Sequence, residues 1–249
     1  MDEPVFLTAG NTPALTYAKK ALLCAGCKFA SAPDQTVTHL LLPVPSFAAD
    51  GTINGGGNLK DILATLPSNI TVIGGNLNCE ELSGCQKIDL LKSEMYLAEN
   101  AAITAYCAIG TALEHLPVIF RDCPVLVIGW GRIGKCLADL LKRMGAKVSV
   151  YARKEQDKAM IVALGYPLEE LCKPVSGYRV IFNTAPAMML PDESPTPDCL
   201  KIDLASLSGI AGKDVIWARG LPNKKAPESS GELIARTVLQ LVRGKELQS

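Results

Sequence analysis

The chain has 249 residues, of which 25 are basic and 25 acidic, so its formal charge is zero. That balance, with no basic block or stripe, argues against a nucleic-acid partner. A hydrophobic content of 48% supports a packed core in one large or two ordinary domains, and no apolar run approaches the roughly 18 residues needed to span a bilayer. The opening MDEPVFLTAG lacks a charged-then-apolar leader, and the expected location is the cytoplasm.

In chain order, Val5–Leu7 reads as a strand and Thr12-Pro13 opens a helix reaching about Cys27, since proline suits the first helical position. Lys28–Ala30 and His39–Leu42 read as further strands. Residues 43–57, PVPSFAADGTINGGG, form a Pro- and Gly-rich loop after a strand's carboxyl end, where ligands collect in open α/β sheets. Asn58 is placed to cap a helix reaching Leu66, Thr71–Gly74 is another strand, and Ser93–Leu116 is a long helix.

The stretch 125–154, VLVIGWGRIGKCLADLLKRMGAKVSVYARK, describes one complete β-α-β unit. The apolar run Val125–Ile128 feeds into Gly129, Gly131 and Gly134 in GxGxxG spacing. A helix follows with Ile133, Leu137, Leu140, Leu141 and Met144 on one face, stopped by Gly145 before the strand Lys147–Tyr151. The three glycines serve a tight turn, close approach to a pyrophosphate, and close helix packing, while the helix N-terminus favours phosphate. In this context the motif predicts a dinucleotide site. NAD-binding units carry a carboxylate at the tip of the second strand, whereas an arginine suits a 2′-phosphate. Here the tip reads Tyr151-Ala152-Arg153-Lys154, with no carboxylate until Glu155, which favours NADP over NAD.

Downstream, Lys158–Leu164 and Glu169–Cys172 read as helical, and Arg179–Phe182, Leu200–Leu204 and Val215–Trp217 as strands. Their polar ends are expected on the same sheet edge as the glycine turn. Ser229 or Ser230 caps a last helix, with Ile234, Val238, Leu239 and Val242 as its apolar face. The reading is an α/β protein with a C-terminal Rossmann-type doubly wound parallel sheet and a smaller N-terminal α/β domain. Residues 1–95 form the N-terminal domain, 96–118 the linker helix and 119–228 the Rossmann domain, with helix 229–245 packing back near the first domain. Nine cysteines are scattered through apolar segments, and Cys24-Ala-Gly-Cys27 has no second CxxC and no grouped histidine, so no metal is expected.

Four blocks in the second half resemble the A-subunit family of dipicolinate synthase. These are GWGRIG with VSVYARK, NTAPAMML (183–190), IDLAS (202–206) and GLPNKKAPESSGELIA (220–235), where Ser229 and Ser230 stand for that family's Thr and Ala. The likeness covers residues 95–245. On the linker helix the family pattern N-x-x-P-T-A-E-G is met by Asn100-Ala-Ala-Ile103-Thr104-Ala105-Tyr106-Cys107, which changes the Pro, Glu and Gly positions. The N-terminal domain is also shortened and reads Thr8-Ala9-Gly10-Asn11-Thr12 where the family opens on Gly-Gly-Asp-x-R.

The resemblance implies dehydrogenation of a dihydrodipicolinate-type cyclic dicarboxylate with reduction of NADP. It also implies a second, flavoprotein-like synthase component and, by analogy with two-domain dehydrogenases, a homo-oligomer. Cofactor-side candidates are Gly129, Gly131, Arg132, Ile133, Gly134, Ala152, Arg153, Lys154, Asn183, Thr184, Pro186, Asp203 and Leu204, with Asn183-Thr184 toward the nicotinamide ribose. Asn100, Thr104 and Asp203 are the catalytic candidates, and Ser46, Arg219 and Lys224 the substrate clamps. Asp203 reads either as an acid/base or as an acceptor for turn amides. A D-2-hydroxyacid dehydrogenase would need a late imidazole, and no histidine follows His115. The competing reading is a nucleotide-binding, non-catalytic or regulatory relative that kept the Rossmann half and lost the substrate chemistry.

Overall fold

The computed structural model describes residues 3–171, 175–191 and 198–246. The chain divides into two compact units, 1–100 with 222–249, and 101–221. Each is built on a five-stranded, wholly parallel sheet.

The first unit contains β1 (Val5–Thr8), α1 (Pro13–Cys24), β2 (Lys28–Phe29), β3 (His39–Leu41), α2 (Leu59–Leu63), β4 (Thr71–Gly74) and β5 (Gln86–Asp89), in sheet order β2-β1-β3-β4-β5. Thr12 caps α1 by accepting from the Leu15 amide, and Pro13 sits at its start. The helix stops at Cys24, earlier than its periodicity suggests, because Gly26 (φ +88°) turns the chain and the Cys27 amide donates back to Leu22. Strand β5 escapes the sequence pattern since Ile88 is its one buried residue, as expected at a sheet edge. Asp89, at its end, accepts from the amides of Asn76, Leu77 and Leu91 and ties two loops to the strand.

One sheet face buries Leu7, Leu40, Leu42 and Val72 together with Leu59, Leu66, Leu77 and Leu82. The strand order reverses between β1 and β3, where a doubly wound sheet opens its crevice. In this unit the two flanking loops interlock there. A Cβ on Gly10 would come within 2.5 Å of Asn54 O and 2.8 Å of Pro43 Cγ, and one on Gly55 would strike the backbone of Asn11. The same unit includes α7 (Pro227–Glu246), which packs along α1. A Cβ on Gly231 would lie 2.5 Å from Tyr17 Cβ, 2.6 Å from Ala14 O and 2.7 Å from Ala18 N, so the two backbones approach as only glycine allows. Helix α7 begins at Pro227 rather than after a serine cap, and Ser229 and Ser230 lie in its first turns. A short α6 (Leu221–Lys225) precedes it, and its Asn223 side chain accepts from the Ala14 amide at the start of α1.

Helix α3 (Glu94–His115) runs through the boundary between the units. The second unit contains β6 (Pro124–Ile128), α4 (Arg132–Arg143), β7 (Lys147–Tyr151), α5 (Glu155–Ala163), β8 (Val180–Asn183), β9 (Leu200–Asp203) and β10 (Val215–Trp217). Its order, β10-β9-β8-β6-β7, repeats that of the first sheet when strands are counted from the start of each unit. Val125, Leu126, Val127, Ile128, Ile181, Phe182 and Ile202 are inaccessible, as strands covered on both faces require. Residues 169–171 are not helical. Leu168 bridges Val150 in parallel and the Glu169 amide donates to Val150 O, so pairing to β7 wins over local helix propensity, and Cys172 lies outside the described residues. Among the described residues, no helix is long and apolar enough to cross a membrane.

Candidate functional site

The second sheet reverses order between β6 and β8, and their carboxyl ends place Gly129 and Thr184 side by side. Gly129 has φ +104°, and a Cβ there would collide with Thr184 Oγ1, which donates to Ile128 O at 3.0 Å. A Cβ on Gly134 would strike the Gly129 carbonyl, so this glycine lets α4 pack onto the turn. Gly131 differs from both: nothing lies within 4 Å of where its Cβ would point. It is the N-cap of α4 and no side chain caps that helix. The turn therefore presents open space, backbone amides and the positive end of a 12-residue helix at one place, a fit for the pyrophosphate of a dinucleotide.

A cleft of about 430 Å³ starts at this turn. Gly129, Trp130 and Gly131 line one side, and Tyr151, Ala152, Arg153, Lys154 and Asp157 the end of β7. Thr184, Ala185, Pro186, Ala187 and Met189 form a further wall that begins beside Gly129. Arg153 and Lys154 are exposed at the tip, and the nearest carboxylate in sequence, Glu155, pairs with Lys158 at 2.6 Å. Trp130 is 7% exposed and packs edge-on to Tyr166, with ring centroids 5.7 Å apart. Its position inside GWGRIG was the available signal for a cleft residue. Asp157 carried no such signal, because α5 brings it in from another segment, whereas Met189 lies in the NTAPAMML block without being singled out there.

Behind the wall lie Asn183 and Asp203, both fully buried and Cα partners at the ends of β8 and β9. Asp203 Oδ1 accepts from Asn183 Nδ2 (2.9 Å) and the Ala205 amide (3.0 Å). Its Oδ2 accepts from the amides of Gly209 (2.6 Å) and Ile210 (3.2 Å). Leu204 follows directly, and its amide donates to Asn183 O. Arg132 and Ile133 lie in the first turn of α4.

The remaining sequence candidates lie elsewhere. Thr104 is buried and Asn100 half-buried, one helical turn apart on α3. Ser46 is inaccessible; its hydroxyl donates to Pro43 O and accepts from the Gly75 amide, both at 2.9 Å, so it closes the loop after β3 on the end of β4. Arg219 is exposed, its guanidinium 5.3 Å from the centre of the Trp217 ring, and Lys224 is exposed on α6. His115, in the last turn of α3, bonds through Nδ1 to Thr111 O at 2.9 Å.

Residues 112–189 match the family described as D-isomer specific 2-hydroxyacid dehydrogenase, NAD binding domain. No curated protein matches the sequence. Among solved structures, the dipicolinate synthase A-subunit from Bacillus halodurans aligns with a TM-score of 0.82 at 22% identity, covering 96% of this chain and 97% of that one. The corresponding dipicolinate synthase polypeptide from Bacillus subtilis gives 0.83 at 21%, covering 100% and 99%. Transhydrogenase from Sinorhizobium meliloti gives 0.72 at 15%, covering 97% and 94%. The chain thus shares the fold of the dipicolinate synthase A-subunit along nearly its whole length, and its second unit is a Rossmann unit of the kind that binds a nicotinamide dinucleotide.

Proposed function

We propose that the protein is an NADP-dependent oxidoreductase of the dipicolinate synthase type, acting on a dihydrodipicolinate-like cyclic dicarboxylate. The observation that carries this reading is the open space over Gly131 at the uncapped start of α4, on the same cleft as two exposed cations at the tip of β7. In this reading the amides of the first turn of α4, Arg132 and Ile133 included, hold the pyrophosphate. Gly134 keeps that helix seated. Arg153 and Lys154 meet the 2′-phosphate across Ala152, while Thr184, Pro186 and Leu204 border the nicotinamide side. Bound NADP would supply a hydride acceptor for the substrate C–H, with the accompanying proton released to solvent and aromatisation of the ring supplying driving force.

The chain's own share of the chemistry is positioning. Asn100 and Thr104 on α3 are proposed to orient the substrate, and Arg219 and Lys224 to hold its carboxylates. Ser46, a substrate clamp by its sequence position, is inaccessible with its hydroxyl bonded to Pro43 O and the Gly75 amide, so its proposed part is to shape the loop after β3. A homo-oligomer and a second, flavoprotein-like synthase component belong to the same proposal. A specific observation favours one other reading. Where the family pattern has Glu on the linker helix, this chain presents Tyr106, 64% exposed, which fits a nucleotide-binding relative without turnover.

Titration with NADPH and NADH, followed by nicotinamide fluorescence, tests the cofactor assignment. Tight NADPH binding is expected, and turnover of dihydrodipicolinate then separates the enzyme from the silent relative. Binding of neither nucleotide would sink both readings.

A further inference from the structure

We infer that Asp203 is a positioning residue for the nicotinamide-side wall of the cleft, acting through Asn183 and the 203–211 loop and taking no part in proton transfer. The inference rests on the dinucleotide reading of the second unit. Asp203 sits one layer behind the cleft surface with no exposed atom, so no substrate proton can reach it without the wall opening. Its four partners, the Asn183 carboxamide and the amides of Ala205, Gly209 and Ile210, are all donors. Two carboxylate oxygens satisfy four donors, and nothing among these partners is an acceptor waiting for a proton.

Each bond ends on a segment that shapes the cleft. Asn183, held by Asp203, accepts from the Ala185 amide through Oδ1 and donates to Ala185 O through Nδ2, both at 3.1 Å. That fixes Ala185, which lines the cleft between Thr184 and Pro186. Gly209, held by Asp203 Oδ2, accepts at its carbonyl from the amides of Met189 (2.8 Å) and Leu190 (3.0 Å). That fixes the far end of the same wall. A Cβ on Gly209 would collide with Ala187 O and Asn183 Nδ2, so the two loops are in direct contact at Gly209. One buried carboxylate thus anchors both ends of the wall from 184 to 189. None of these bonds of Asp203, Asn183 and Gly209 ends on Ala152, Arg153 or Lys154, which hold the adenosine end in this reading.

Asp203→Asn tests this, because the carboxamide keeps the shape but sets an NH₂ against backbone N–H groups. NADPH and 2′,5′-ADP are titrated against wild type and variant. The expected result is NADPH binding weakened by about tenfold or more, with the enhancement of bound nicotinamide fluorescence lost, while 2′,5′-ADP affinity stays within about twofold. A role confined to holding the fold would weaken both ligands together, and that outcome overturns the inference, as does a variant that binds NADPH with wild-type affinity and emission. If Asp203→Asn yields no folded protein, Asn183→Ala is titrated in its place, since it cuts the link to Ala185 and leaves the three backbone bonds of Asp203. The same split between the two ligands is expected, and its absence overturns the inference. Wild-type protein that binds neither ligand overturns the dinucleotide reading itself, a result separate from a variant that behaves as wild type.

Discussion

Gly129 and Thr184 stand so close that no side chain fits on the glycine: a Cβ there would overlap the threonine hydroxyl, which is committed to Ile128 O at 3.0 Å. Gly129→Ala adds a methyl against that hydroxyl and places an L-residue at φ +104°. We expect it to destabilise the protein by roughly 1–3 kcal/mol and to weaken NADPH binding, read by thermal unfolding and fluorescence titration.

Gly131→Val separates folding from binding. Its Cβ points into open space, so unfolding should shift by no more than about 1 kcal/mol, the cost of a poorer N-cap. NADPH affinity should fall by about tenfold or more, because the branched side chain occupies the pyrophosphate position. A valine variant that binds like wild type would remove the phosphate from this turn.

Arg153→Asp probes the choice of dinucleotide. Losing a charge-assisted hydrogen bond and adding a repelling carboxylate should cost about 10- to 100-fold in NADPH affinity. NADH affinity should hold or improve, since a carboxylate can accept from a ribose 2′-hydroxyl. Equal losses for both nucleotides would place Arg153 outside the 2′-phosphate contact.

Gly231→Ala pushes a methyl between α7 and α1, onto Ala14 O and Ala18 N. Backbone cannot yield as a flexible side chain does, so a loss of roughly 1–3 kcal/mol is expected in chemical denaturation. A stability equal to wild type would show that the two helices can part at no cost.

Tyr178 donates to the Glu169 carboxylate, and burial, followed by that bond, raises its phenol from 10.0 to about 12. The folded state keeps the proton to higher pH than the unfolded chain does. This stabilisation is therefore complete below pH 10 and lost as pH rises toward 12. Tyr96 is shifted upward by burial in the same sense. Unfolding midpoints measured from about pH 8 to 11.5 should decline at the alkaline end, and Tyr178→Phe should flatten part of the decline. A variant with the wild-type slope would exclude Tyr178 as its source.

Much of the fold and half of the site were written locally. The β6-α4-β7 unit is legible because its determinants lie within a few residues of one another: an apolar run, three spaced glycines, and a helix periodicity ended by Gly145. Gly129, Gly131 and Arg153 could be named from that stretch alone, and the structure places all three on one cleft. Asn58 was readable as a cap for the same reason, since it bonds an amide two residues ahead, and Thr12-Pro13 as a helix start. Strand β5 and the start of α7 were not, because a single buried Ile88 and a proline beside two serines leave the local pattern ambiguous.

Beyond the β6–β7 pairing, tertiary structure decided which strand lies beside which, and with it the bond of Asp203 to Asn183. Its bond to Asn183 spans 20 residues and exists because β8 and β9 are neighbours in register. The Ser46 bond to Gly75 spans 29 residues, and the contact of Gly231 with Ala14 joins opposite ends of the chain. Short-range preferences act through the few dihedrals between adjacent residues, so sequence spacing records them. Long-range contacts form only when the sheet has closed its loops and excluded water, and no spacing in the chain encodes that meeting.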